Sequence, residues 1–266
     1  GQSAPGGLVN MTLKKPTDTP LRQVSVGFGN WNRYEATFDV SDKVTKSGNV
    51  RYRIAGIGVT QDTQTNYTPY KRVSVLPSLT WDIDKKTSLT LIGSYAYTPS
   101  AGLNLGGQYP PRGTLITDGY QRIARSTFVG LTNWNKQSYR DAFFEYQFHH
   151  KFNKYLNVSQ NFRWEKGSYD RKDSYWDGQV NAGTPELQYY RPEIRKFSTE
   201  SVVFDTRFYG SFNIGNVHNT WTVGSDFRNF DNRQININST TDYIINVYNP
   251  QETKYTPCLS LSKCSR

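Results

Sequence analysis

The sequence predicts an all-β fold, a transmembrane antiparallel β-barrel wall, and three observations carry that prediction. Apolar and polar residues alternate with a period of two over most of the chain. The links between the alternating segments are short and long by turns. Aromatic residues make up 15% of a chain that is 20% charged, with Tyr (19) the commonest of the three types. That balance suits strands with one apolar and one wet face better than a core of Leu, Ile and Val.

Taken in order, the chain opens GQSAPGGLVNMTLKKP. Gly6 and Gly7 invite a test for a phosphate loop, but no Gly-Lys-Ser/Thr follows at the required spacing, and Leu8 to Leu13 alternate as a strand does. The stretch reads as a turn feeding a strand. Next, Tyr34, Ala36, Phe38 and Val40 alternate with Arg33, Glu35, Thr37 and Asp39. Val73, Val75, Leu79, Trp81 and Ile83 are set against Ser74, Ser78, Thr80 and Asp82 in the same way. Further runs of this kind give strands near 22–29, 32–40, 49–62, 70–84, 87–98, 138–151, 155–172, 196–214 and 217–233. The first two are separated at Gly29-Asn30-Trp31-Asn32, a tight-turn sequence. Most are long enough to cross a bilayer, which takes about 9–11 residues. Long links are expected over 62–69, 98–137, 172–195 and from 234 onward, with short ones between; the short ends then face the periplasm and the long ones the exterior. A spanning sheet has to close, and nine strands do not close a barrel of even strand number.

Composition excludes several function classes. The formal charge of +10 suggests an anionic partner, nucleic acid, anionic lipid or an acidic ligand, or simply a water-lined face, because the basic residues are spread along the chain. His149 and His150 are adjacent on a strand and point to opposite faces, so they cannot share a metal; with no HExxH and no paired CxxC, no resident metal or cofactor is expected. No G-x-S-x-G or Cys/His motif suggests nucleophilic catalysis, and Asp141, Glu145 and Glu165 fit isolated lumen acids, so no enzyme is expected. Cys258 and Cys264 suit a small loop disulfide in an oxidising compartment, against the alternative of two unrelated thiols.

Several pieces, in this order, resemble TonB-dependent ferric-siderophore receptors of the ferrichrome and hydroxamate type. They are Ala4 to Asn10 with Lys14-Lys15-Pro16, Phe28-Gly29-Asn30-Trp31, Pro77 to Trp81 with Thr87 to Leu91, Pro111-Arg112-Gly113-Thr114, Thr222 to Asp226, and Tyr248-Asn249-Pro250. The resemblance covers essentially the whole chain. It implies that residues 1–20 are the C-terminal end of a plug domain and residues 21–266 the first nine strands of a barrel of about 22 strands, an internal segment or truncated form of such a receptor. It also implies a monomeric barrel in the bacterial outer membrane, contacts with membrane lipid and lipopolysaccharide, and coupling to the TonB energy-transducing complex through a region upstream. Iron would arrive only inside the ferric siderophore. By the same resemblance, aromatic residues of the third and fourth external loops hold the siderophore, which points to Tyr109, Tyr175 and Trp176. The positions nearest the family's third-loop aromatics, Gly106 and Gln108, are not aromatic, and Gln108 stands beside Tyr109 as a polar candidate. The alternative for each ring is loop packing or a place in the membrane-interface belt.

Competing readings are a passive porin or adhesin, a truncated remnant without transport, and a soluble basic β protein stacking single-stranded nucleic acid on its aromatics. The plug-like Pro5-Gly6-Gly7 stretch weighs against the first. The recurrence of aromatics on every strand's apolar side weighs against the last, and no nucleic-acid partner is expected.

Overall fold

A computed structural model describes residues 12–102, 109–116, 119, 121–184 and 186–250. Among these residues there is no helix. Nine long strands and one short one form a single antiparallel sheet: β1 (Leu21–Gly29), β2 (Arg33–Lys43), β3 (Val50–Gln61), β4 (Tyr70–Asp82), β5 (Thr87–Ala101), β6 (Lys136–Lys151), β7 (Asn157–Gln179), β8 (Leu187–Ile214), β9 (Val217–Asn238) and β10 (Tyr243–Asn246). Each strand from β1 to β9 pairs with the next in sequence, as a barrel wall requires.

The links alternate as expected, those at 44–49, 83–86, 152–156 and 215–216 lying at one end and those at 30–32, 62–69, 102–135 and 180–186 at the other. Two boundaries differ from the sequence-based reading. The stretch 172–195 is mostly strand, because β7 and β8 run on as a hairpin of 23 and 28 residues. The stretch beyond 234 also continues as strand, first in β9 and then in β10 against Leu187–Tyr190 of β8. The extensions of β7 and β8 are rich in charged and amide side chains and lack a clean alternation, whereas the end of β9 keeps a short one, Ile235 and Ile237 between Gln234, Asn236 and Asn238.

Burial in the sheet is inside out. Along one face the register aligns Val24, Phe38, Gly56, Val75 and Tyr95, and apolar side chains on this face stay exposed, Phe28 by 79%. Gly56 lets the Phe38 ring lie flat across it: an added Cβ would sit 2.4 Å from the ring. Along the other face the register aligns Ser41, Arg53, Ser78, Ile92, Glu145 and Arg163. There Ser41 is fully covered and Asp39 and Glu145 nearly so. A sheet that exposes its apolar side and shelters its ion pairs is built for lipid outside and a wet lumen inside. Arg51, Arg53, Arg163 and Arg207 all face the sheltered side and all are ion-paired there.

The segment before β1 lies on this polar face. Lys14 pairs with Asp39 at 2.7 Å, the Lys15 carbonyl accepts from Arg53 at 2.9 Å, and the Thr17 N–H donates to Ser41 Oγ at 3.0 Å.

Candidate functional site

The outer end of the sheet concentrates aromatic and charged side chains, and strand parity sorts them onto two faces. On β7 and β8, Phe162 and Phe204 mark the lipid side while Arg163 and Val203 mark the lumen side. Above the membrane band the lipid-side parity brings up Ser174, Trp176 and Tyr190, and protein covers them in place of lipid. Tyr190, Tyr243, Ile245 and Val247 pack with Ile123, Val129 and Leu131 of the 102–135 loop, with Tyr109, Trp134, Trp176 and Tyr248 at the margin. The Tyr190 and Tyr243 rings stack at 5.7 Å. The Tyr243 hydroxyl donates to the Val129 carbonyl at 2.6 Å and accepts from Ser174 Oγ at 2.7 Å. Burial pushes both phenols above their ordinary range, so they stay neutral.

The lumen-side parity brings up a ladder facing the mouth. Tyr139 stacks on Tyr169 at 5.3 Å, and Tyr169 meets Phe197 edge-on at 6.4 Å. One step outward, Arg171 and Arg195 share the buried Glu193 at 3.4 Å and 2.8 Å, and Arg171 also pairs with Asp173. Desolvation raises the Asp173 carboxyl to about 7, with Arg171 pulling it down and Glu193 adding to the rise. Further out, Tyr175 lies opposite Arg191, whose guanidinium is neutralised by Asp177 and by Asp242 at 2.8 Å.

The residues singled out from sequence therefore separate. Tyr175 is on the mouth-facing side. Trp176, next to it, turns the other way, and its indole N–H donates to Gln188 Oε1 at 2.7 Å. Tyr109 joins the same packed cluster as Trp176, donates to the Thr127 carbonyl at 2.6 Å, and lines a cavity of about 340 Å³ with Arg122 and Arg125. Gln108, Cys258, Cys264, Gly6 and Gly7 lie outside the described residues. Arg112, a loop cation, is tied to the Gly183 carbonyl at 2.6 Å. Sequence reasoning missed the Tyr139–Tyr169–Phe197 ladder, because only the register of β6, β7 and β8 sets Tyr139 opposite Tyr169 and Tyr169 opposite Phe197. Among the described residues no group of three or more His, Cys, Asp or Glu is placed to hold a metal ion.

The chain has counterparts among known proteins. The chain is 28% identical over 277 residues to the ferrichrome outer membrane transporter and phage receptor of Escherichia coli (strain K12), covering 96% of this chain and 36% of that protein. It is 28% identical over 232 residues to the ferrioxamine receptor of Yersinia enterocolitica, covering 87% and 31%. Its fold matches the Pseudomonas aeruginosa receptor solved with bound ferric pyoverdines, with a TM-score of 0.77 at 18% identity over 92% of this chain and 32% of that one.

The chain is a homologue of the TonB-dependent siderophore receptors.

No family model matches it. It spans about a third of the length of these relatives. With its lipid-facing apolar wall, it is an outer-membrane β-barrel protein. Its fold is that of part of a TonB-dependent receptor barrel. The ladder and Tyr175 share the lumen-side parity at the outer end of the sheet.

Proposed function

We propose that this chain forms part of the wall and mouth of a receptor that takes up a ferric hydroxamate siderophore across the outer membrane. In this reading residues 1–20 are the end of a plug, residues 21–266 belong to the barrel, and energy reaches the plug from a TonB-type complex of the inner membrane through a region upstream of this chain. The iron is cargo, held by the siderophore and not by protein ligands.

The observation that carries the reading is the coincidence of two independent patterns: near-full-length alignment of the chain with ferrichrome and ferrioxamine receptors, and an aromatic ladder on the lumen parity at the outer mouth. Rings there pack against the apolar frame of a chelate, while Arg171, Arg195 and Arg191, each already ion-paired, present fixed dipoles instead of a net charge that would select for anions alone. Tyr175 joins them on the lumen parity, and Tyr109, Trp176 and Gln108 are the further candidate contacts.

The test is uptake of radioactive iron as ferrichrome or ferrioxamine by iron-starved cells whose only hydroxamate receptor contains this chain. Accumulation that stops when the proton gradient is collapsed is the expected result. Binding without energy-dependent accumulation would reduce the protein to a passive barrel, and neither binding nor accumulation would remove the siderophore reading altogether. An outer-membrane blot with antibody against residues 98–137, run alongside, reports whether low iron induces the protein.

A further inference from the structure

The segment entering the lumen is fastened to the wall at one charged node. The Asp39 carboxylate, nearly buried, takes Arg53 through both oxygens, Nε to Oδ1 at 2.8 Å and Nη2 to Oδ2 at 2.8 Å, and takes Lys14 on Oδ2 at 2.7 Å. Arg53 then reaches on with Nη1 to the Lys15 carbonyl at 2.9 Å. Ser78 Oγ donates to the Lys14 carbonyl at 3.4 Å, and Ser41 Oγ accepts the Thr17 N–H while donating to the Tyr52 carbonyl at 2.8 Å. Lys15 Nζ bonds the Gln147 side chain, and Asp18 pairs with Arg51 at 3.5 Å. Residues 14–18 are thus held by β2, β3, β4 and β6 together, and the bonds grip the main chain itself at Lys14, Lys15 and Thr17.

We infer that Asp39, bridging Arg53 and Lys14, is the anchor that keeps residues 14–18 on the barrel wall when the chain upstream is pulled. The inference rests on the uptake reading above. A pull on the chain upstream reaches the bonds at Lys14 and Lys15 first, because these are the first bonded residues along the chain. The two cations have different work. Arg53 belongs to the wall and satisfies Asp39 by itself, whereas Lys14 belongs to the moving chain and is half exposed. Removing Lys14 therefore loosens the segment without leaving a buried charge unpaired.

The experiment places a nitroxide at residue 16 (Pro16→Cys, with Cys258→Ser and Cys264→Ser), inside the anchored segment, in the complete receptor in outer membranes, and compares Lys14→Met, Asp39→Asn and the unchanged node. The expected result is an immobilised spectrum for the unchanged node and loss of the immobilised component in Lys14→Met, with siderophore binding retained and uptake reduced several-fold. Asp39→Asn gives the same loss, and the heat-modifiable band of the folded barrel shows that the wall survives. Identical spectra in all three forms would overturn the anchor even if uptake is normal. Absence of uptake in the unchanged receptor would instead overturn the uptake reading, whatever the spectra show.

Discussion

Tyr175 and Trp176 are neighbours in sequence and opposites in space, and the difference decides what their replacement does. Tyr175 shares the lumen parity with Tyr169 and Arg191, while Trp176 closes the packed cluster through Gln188. Tyr175→Ala is expected to weaken ferric hydroxamate binding by about 1–2 kcal/mol, roughly ten-fold in Kd, and to leave barrel stability unchanged. Trp176→Ala is expected to do the reverse first, loosening the hairpin and the 109–135 loop, which proteolysis of the outer loops would report. Equal binding losses with intact loops would mean that both rings touch ligand. At the other end of the sheet, Gly210 leaves no room for a side chain, since an added Cβ would sit 1.7 Å from the Tyr155 carbonyl oxygen. Gly210→Ala should therefore displace the 152–156 link and lower stability by more than about 1 kcal/mol in a urea titration of the refolded barrel. Sequence alone marks Gly210 only as a glycine in a strand; the contact is with a link 55 residues earlier in the chain.

At the scale of the element, the outer hairpin of β7 and β8 holds two buried acids, Asp173 and Glu193, between Arg171 and Arg195, and the Trp134 indole N–H donates to the Asp173 carbonyl at 3.2 Å. The folded hairpin binds the Asp173 proton more tightly than the unfolded chain does, because its carboxyl is raised to about 7 from the usual value near 4. The contribution to hairpin stability is thus fullest below about pH 4, declines as pH rises between about 4 and 7, and is lost above. Amides of the outer hairpin should exchange more slowly at pH 5.5 than at pH 8 once the intrinsic rates are divided out, and Asp173→Asn should flatten the dependence. A hairpin equally protected at both pH values would mean that Asp173 is ionised throughout. The mirror case is the β1–β2 link, where Trp31 and Asn32 take φ of 64° and 52°. Asn suits that conformation, Trp does not, and the Trp31 carbonyl repays the strain by accepting from the Asp62 N–H at 2.7 Å.

For the whole molecule, the lipid face and the lumen face alternate residue by residue, so charge is tolerated at one position and costly at the next. Arg207 is native on the lumen side, paired with Asp205 at 2.6 Å, and Phe208 beside it is exposed toward lipid. Phe208→Arg is expected to cost about 2–4 kcal/mol when the barrel refolds into phospholipid vesicles, a penalty that shrinks toward the interfaces. A negligible cost would mean that this strand face does not meet hydrocarbon.

The sequence by itself determined the strands that cross the membrane, the alternation of short and long ends, and the face each strand turns to lipid. These are local properties: period-two patterning and turn residues act within a few positions, and a one-residue slip would invert every face. Tertiary structure alone decided the outer end. β7 and β8 run on past residue 172, β10 docks on β8, and Tyr190 stacks on Tyr243, all in stretches where polar residues hide the period. It also decided that Asp39 holds Arg53 and Lys14 at once, and that Tyr139, Tyr169 and Phe197 form one ladder. Such contacts join residues at least 14 positions apart, and their energy exists only once the sheet has set the register that brings them together.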